Sequence, residues 1–523
     1  MKAATLRSFL AVHTWVGLLA GTALFIAFYA GAITVFTHEL GDWQRPAAQA
    51  SQDDPLADTQ RLLDAVLAKH ADDEGELFLT LPGTRGPRAA AYWYSEKTRD
   101  RTQYVLDATG HLAESDARAG FIQFIYDLHF TAGLPLTPGT YLFGVICILY
   151  GLALVSGVVI YAPVFLKDLF ALRIGRNIKR LWQDAHNVVG MLSLPFHVIF
   201  AWSGAVLCIG YVLLAPFQLF VYENKLLEIL EHDLEASPHV APAGVRATML
   251  PLADVLRRAQ LEFPELEPQS FGFHDPGDAN AQVAVFGRAE QRRLSSTAVA
   301  VFNAADGGFV AKVEPRRYTP GRAFLNALTT LHFGNFGHYA VKWLYFLLGL
   351  AGAFLFYGGN LLWIEARRKR RQVDQPRRTR VMAALTLGVC LGCVAGVSAT
   401  FLAGALLPEA WVPRAYFAVF FASLAWACLR PPARAGHELL WLSALLTAAI
   451  PLAGWLGSGE HLFAAAWRGH WHRFFVDATA LAMAVAFWRM AVATLRRGRG
   501  GDPNSVWALR FGKSGTPERI GKT

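Results

Sequence analysis

GFIQFIYDLHF (Gly120–Phe130) and AFLNALTTLHF (Ala323–Phe333) carry apolar residues at helical spacing, and both end on Leu-His-Phe with His129 and His332 at matching places. The repetition extends outward from them. HTWVG (13–17) and HNVVG (186–190) each open an apolar stretch. In both, further glycines follow the histidine at the same spacing, so His13-Gly17-Gly31 and His186-Gly190-Gly204 share the pattern H-x3-G-x13-G. Helical stretches DTQRLLDAVLAKH (58–70) and PLADVLRRAQLEF (251–263) match, as do strand-like runs AAAYWYS (89–95) and AQVAVFG (281–287). So do the hairpins YVLDATGHLAE (104–114) and AVFNAADGGFVAK (300–312), whose Asp, Asn and Gly residues supply turn chemistry. The chain reads as a tandem duplication, 1–180 and 181–370, of apolar span, α+β domain, Leu-His-Phe helix and apolar span.

Composition puts those spans in a membrane. Of 523 residues, 54 % are hydrophobic and 17 % charged, with mean hydropathy +0.29; soluble domains carry about 25 % charged residues. A bilayer core takes roughly 20 apolar residues per helix. Eight runs qualify: 1–36, 139–163, 187–215, 339–364, 381–407, 412–429, 437–457 and 474–494. Two α+β insertions occupy 37–138 and 216–338. Basic connectors occupy 164–186 and 365–380, an appended four-span bundle 381–494, and a tail 495–523. The expected fold is a polytopic all-α membrane protein with a duplicated 2+2 core, four added helices and two α+β insertions.

Lys2 and Arg7, KDLFALRIGRNIKR (167–180), EARRKRRQVDQPRRTR (365–380), RPPAR (430–434) and RRGRG (496–500) place every second connection on one basic side. The positive-inside rule predicts cytoplasmic N- and C-termini and both insertions outside. The net charge of +9 reflects this orientation, so no nucleic-acid partner is expected. AFYAGA (27–32) offers small residues for signal cleavage, but the first run is too long for a signal h-region and belongs to the repeat, so it is expected to be retained. All five cysteines fall in spans, which excludes a disulfide scaffold in the insertions. Cys390 and Cys393 form C-x-x-C followed by Val394, not the His of covalent haem attachment, and read as small residues between packed helices.

Parallel repeats imply a pseudo-twofold axis along the membrane normal. His13 and His186 then occupy equivalent places at cytoplasmic span ends, and His129 and His332 at the outer surface. Two imidazoles facing across such an axis can hold a haem iron from above and below, so two haems at two depths would form an electron path. Against this stands the plainer role of an interfacial or helix-end histidine. The glycines of the repeat would leave room for a flat macrocycle, or would let helices pack closely. His197, eleven residues after His186, matches Leu24 in the first half and is a substitute ligand, a proton relay or a polar packing group. His38 matches Tyr211, and His338 has no partner. RGHWHR (468–473), with His461 nearby, is either a metal or anion contact, through His470 and His472, or an aromatic and cationic interface belt.

HTWVG, DAHNVVG, the doubled LHF and LHFGNFG resemble the PepSY-associated transmembrane family, over about residues 1–370, and the insertions resemble PepSY-like modules. The family includes iron-regulated bacterial inner-membrane proteins, among them ferric-siderophore reductases with b-type haems. The resemblance therefore implies a multi-pass protein of the bacterial inner membrane and periplasmic insertions. It also implies two bis-His haems b and electron delivery to a ferric siderophore or other ferric chelate. His13, His129, His186 and His332 match the family's recurring histidines, and His197 lies outside that pattern. The chain carries no Walker A motif and no G-x-G-x-x-G after a strand. The donor would then be a quinol, a reduced flavin or another protein. Two other readings compete: a transporter for a metal chelate with histidines along its path, and a non-catalytic sensor or protease-modulating protein acting through its PepSY-like domains.

Overall fold

The computed structural model describes residues 3–509 except 45–53, 72, 83, 85–87, 96, 99, 108, 116–119, 166–172, 174–177, 235, 238–239, 290–293, 295–296 and 369–373. Much of the basic connector 164–186, part of 365–380 and the end of the tail lie outside the described residues. The first half runs α1 (Ala3–Thr34), α2 (Thr37–Gln44), α3 (Pro55–Lys69), β1 (Gly75–Thr80), β2 (Ala90–Ser95), β3 (Arg101–Leu106), β4 (Leu112–Ser115), α4 (Phe121–Thr131) and α5 (Leu136–Tyr161). The second half repeats that order as α6 (Ile178–Leu192), α7 (Leu194–Phe220), α8 (Leu226–Leu234), α9 (Leu252–Glu262), β5 (Glu267–His274), β6 (Gln282–Arg288), β7 (Thr297–Asn303), β8 (Phe309–Val313), α10 (Pro320–Phe333) and α11 (Tyr339–Ala366). The added bundle is α12 (Arg377–Leu406), α13 (Trp411–Leu429), α14 (Pro432–Ala448), α15 (Ile450–Ser458), α16 (Leu462–Arg468) and α17 (Trp471–Gly500).

Among the described residues, eight helical segments are long and apolar enough to cross a membrane. Their outer faces suit lipid: on α5, Val145, Ile148, Leu152 and Val155 recur at helical spacing and stay exposed. The third span differs from the sequence expectation. It covers Leu194–Phe220 and not 187–215. Pro195 has no N–H for the carbonyl of Met191, so the helix breaks at Ser193 and leaves His186 on the amphipathic α6. Pro451 similarly separates α14 from α15 inside the seventh span.

The two α+β insertions come together in one sheet. Each supplies four strands to one antiparallel sheet, ordered β4-β3-β2-β1-β5-β6-β7-β8. The halves join where β1 pairs with β5, placing Leu77 opposite Phe273, Phe78 opposite Gly272 and Leu79 opposite Phe271. Alternation along these strands turns Leu77, Leu79, Phe271 and Phe273 to one face, where Leu62, Leu63 and Val66 of α3 and Leu252, Val255 and Ala259 of α9 cover them. Each large side chain fully buried there contributes about 1.5–3 kcal/mol. The side chain of Gln60 on α3 accepts from the backbone N–H of Leu252 (2.7 Å), tying the two covering helices together.

Within the membrane, lipid gives no hydrophobic drive for helices to associate, so close packing through small residues does that work. Gly388, Gly392 and Gly396 recur every fourth residue on α12. A Cβ there would meet Leu424 at 2.8 Å, the carbonyl of Phe420 at 3.2 Å and Tyr416 at 2.9 Å, all on α13. Cys390 and Cys393 are fully buried free thiols on this helix, as the packing reading requires.

Candidate functional site

The pseudo-symmetry brings the four repeat histidines together in the expected pairs. His13 on α1 and His186 on α6 have ring centroids 6.1 Å apart. His129 on α4 and His332 on α10 have theirs 5.9 Å apart. The first pair lies at the end of the bundle away from the sheet, the second at the sheet-bearing end. Ala27, which His129 contacts, is fourteen residues along α1 from His13. The two pairs are thus separated by about 21 Å along the helix axis.

Each imidazole is anchored through Nδ1. His13 bonds the carbonyl of Ala153 (2.9 Å), His186 that of Leu355 (3.2 Å) and His129 that of Ala27 (2.7 Å). A carbonyl only accepts, so these three rings carry their proton on Nδ1. His332 bonds the hydroxyl of Ser203 (2.7 Å), whose own proton goes to the carbonyl of Ile199, so Nδ1 donates here too. Every Nε2 is left with an unprotonated lone pair, and none makes a hydrogen bond among the described residues. Burial pushes His332 down to about 3 and His186 down to about 4, each helped by its paired imidazole, and burial also lowers His129. Neutral imidazoles with fixed tautomers and outer-shell anchors are the state that binds metals.

A local device recurs three times. The accepting carbonyls belong to Ala27, Ala153 and Leu355, and four residues after each comes a glycine: Gly31, Gly157 and Gly359. A Cβ at Gly31 would stand 2.6 Å from Nδ1 of His129. At Gly157 it would stand 3.0 Å from Cε1 of His13, and at Gly359 3.3 Å from Cε1 of His186. The residue at i+4 covers a helical carbonyl, so glycine there opens the carbonyl to a second partner. The H-x3-G-x13-G glycines, expected either to leave room for a macrocycle or to let helices pack closely, have different neighbours. Gly17 has nothing within 4 Å, Gly190 touches Leu355, and Gly204 packs on Cys147; Gly31 alone among them meets a paired histidine.

His197 joins neither pair. It is fully buried on α7, with Nδ1 bonded to the hydroxyl of Tyr150 and Nε2 without a partner. It lies among aromatic rings between the two pairs: Phe28 is 5.6 Å from His197, 5.1 Å from Phe356 and 5.8 Å from Phe200, and Phe200 is 5.0 Å from His332. His461, His470 and His472 do not converge either. His461 caps α16, and His470 bonds the buried Glu460 (2.8 Å). His472 bonds Asp42 (2.6 Å), and with His38 these make a two-His, one-carboxylate group, a cluster that RGHWHR alone did not reveal because two members come from α2.

A family model for the PepSY-associated TM region matches residues 10–366. The chain belongs to the PepSY-associated transmembrane family. The match covers both halves of the repeat and all four paired histidines, and it leaves α12 to α17 unaccounted for. The chain is also similar to an uncharacterized protein of Pseudomonas aeruginosa, 27 % identical over 341 residues that span 61 % of this chain and 83 % of that protein.

The donor set fits a bis-His iron centre. Two metal–nitrogen bonds of roughly 2 Å each, with the half-widths of two imidazoles, give a centroid separation near 6 Å, as both pairs have. The cavity at His129 and His332, lined by Phe28, Phe200, Phe333 and Tyr345 among others, is about 100 Å³ as it stands. It admits an ion-sized guest, and a macrocycle requires those aromatic side chains to swing aside.

Proposed function

We propose that this chain is a membrane electron carrier of the bacterial inner membrane that delivers electrons to a periplasmic ferric chelate, such as a ferric siderophore. Two haems b would be held between His13 and His186 and between His129 and His332. The observation that carries the reading is the two opposed imidazole pairs at two depths, each ring fixed through Nδ1 with Nε2 left free to bind metal. Basic connectors at one end of the bundle orient the sheet and the His129/His332 pair to the periplasm. When bound, haem supplies reversible one-electron chemistry. The protein's part is to fix the tautomers through Ala27, Ala153, Leu355 and Ser203, and to exclude water with the aromatic layer around Phe28. Reduction of ferric iron weakens its hold on hard oxygen ligands and releases it for uptake.

A reduced-minus-oxidised visible spectrum of purified protein, with haem counted per chain, tests this. Two b-type haems per chain, followed by ferric-chelate reduction, are expected. The small cavity at His129 and His332 favours a second reading, a permease for a metal or its chelate. Protein free of haem after expression with ample haem would leave that one standing.

A further inference from the structure

A second cavity, about 480 Å³, lies between the family core and the added bundle, walled by α1, α2 and α11 on one side and α12, α14, α15 and α17 on the other. Its body is apolar and aromatic, with Phe36, Trp343, Phe346, Phe401, Trp471 and Phe475 on the walls. One end is polar. Glu39 reaches it at 4 % exposure: one carboxylate oxygen takes Lys342 (2.7 Å), and Oε2 makes no hydrogen bond among the described residues. Beside it, Nδ1 of His472 is bound by Asp42 (2.6 Å), and Nε2 lies 2.8 Å from the Tyr339 hydroxyl. A buried acceptor without a donor is costly unless a guest supplies one.

The cavity is also next to the sheet-side histidine pair. On α1 and the turn after it, Tyr29, Ile33 and Phe36 face it, while Gly31, Thr34 and Val35 face the cavity of His129 and His332. On α11, Trp343 and Phe346 face it, and Tyr345 and Gly349 face the other. A single helix layer separates the two.

We infer that this cavity binds a membrane hydroquinone, the ring against the aromatic walls and one hydroxyl donating to Glu39 Oε2. The inference rests on the reading of His129 and His332 as an electron-carrying pair, and it names the donor. The polar end favours a neutral hydroxyl donor over a lipid phosphate, because Lys342 and His472 already pair with Glu39 and Asp42 and the unsatisfied group, Glu39 Oε2, needs a donor that a phosphate lacks. Oxidation of one hydroquinone breaks its two O–H bonds and gives quinone, two protons and two electrons. The two electrons would be taken one at a time by an iron group held between His129 and His332, the first passed on to the ferric chelate before the second arrives, and the protons would leave through Glu39 and the Asp42–His472 pair. The added helices, outside the family match, thereby gain a purpose: they form the far wall of the site.

The test uses the full chain in detergent, stripped of native quinone, with decylubiquinone as probe and phosphatidylglycerol as competitor. Quenching of tryptophan fluorescence, to which Trp343 and Trp471 report from the walls, gives binding without reference to haem. Saturable quenching resistant to the phospholipid is expected. Binding should be weakened about tenfold by Glu39→Gln, which keeps the shape and removes the charge, and abolished by substitution on the α17 wall, Thr479→Trp, which fills the cavity. Decylubiquinol should reduce the haem of the native chain and not that of Thr479→Trp, while dithionite reduces both. Absence of saturable binding, displacement by phosphatidylglycerol, or unchanged binding in both variants overturns the inference. Haem that dithionite reduces in a protein without quinone binding sinks this inference alone. Quinone binding in a protein without haem sinks the electron-carrier reading on which it rests.

Discussion

Gly17 and Gly31 hold equal rank in the repeated sequence pattern, and the structure separates them. An alanine methyl at position 31 would stand 2.6 Å from Nδ1 and 2.7 Å from Cε1 of His129. Ordinary contact needs about 3.5 Å or more, so the ring must retreat by about 1 Å. That retreat stretches the 2.7 Å bond to the Ala27 carbonyl beyond hydrogen-bond range and frees the tautomer. Overpacking costs about 1–3 kcal/mol, the lost bond about 1 kcal/mol more, and loss of an outer-shell anchor typically lowers metal affinity about 10–100-fold. Gly17→Ala meets nothing within 4 Å and gains up to about 1 kcal/mol of helix propensity. Haem per chain after repeated detergent exchange, with the melting temperature, measures both variants. Gly31→Ala should lose the haem at the sheet-side pair and melt earlier, and Gly17→Ala should match or exceed the native chain. Full haem retention in Gly31→Ala, or equal loss in Gly17→Ala, would refute the anchoring argument.

Alanine at His13 or His186 should remove one haem's worth of absorbance and spare the other, and alanine at His129 or His332 should do the converse; four variants with native haem content would end the pairing scheme. Tyr150→Phe deprives the buried His197 of its Nδ1 partner and should lower stability by about 1–3 kcal/mol while haem content holds, which thermal melts and pigment assays read separately; loss of a haem would promote His197 to a ligand. The bonds of Arg173 hold the Asp184 carboxyl below its ordinary 3.8. A depressed folded-state value means the stabilisation is present above about pH 4 and fades as pH falls below it. The melting temperatures of the native chain and Arg173→Ala should therefore differ near neutral pH and converge in acid, and a gap that persists unchanged at low pH would show that the ion pair is not its source.

The duplication, the eight spans and the two histidine pairs were legible because each rests on local signals: long apolar runs, and a repeat whose parts keep their order. What escaped the reading depends on contacts between distant segments. β1 and β5 carry weak strand signals of their own, since GELFLT is short and EPQSFGFH carries both proline and glycine, and what defines them is pairing with each other across the two halves. The accepting carbonyls of Ala27, Ala153 and Leu355 leave no side-chain signature. Gly157 and Gly359 were the available hint, and they gain meaning only once the rings of His13 and His186 are placed beside them. Glu39 and Asp42 looked like residues at the start of an outer domain. Their role emerges where α2 meets α17, a contact between the family core and helices with no counterpart in the repeat.

The position of each contact explains why the duplication is needed at all. His13 and His129 belong to the first half, His186 and His332 to the second, and each pair takes one member from each. The sheet joins by the same rule: β1 lies antiparallel to β5, its own counterpart, as a twofold axis through their junction requires. A single half would therefore present two lone imidazoles and a four-stranded sheet with an open edge, a surface prone to pairing with another chain. Closing that edge against the equivalent strand removes the hazard, and the same closure fixes the partner for each imidazole. The sheet junction and the histidine pairs are then two products of one symmetry. A substitution that opens the junction, such as proline at Phe78, which lies in a central strand, should disturb the His129/His332 pair before the His13/His186 pair. The latter lies about 21 Å further along α1 and is held by α1, α6 and the carbonyls of Ala153 on α5 and Leu355 on α11.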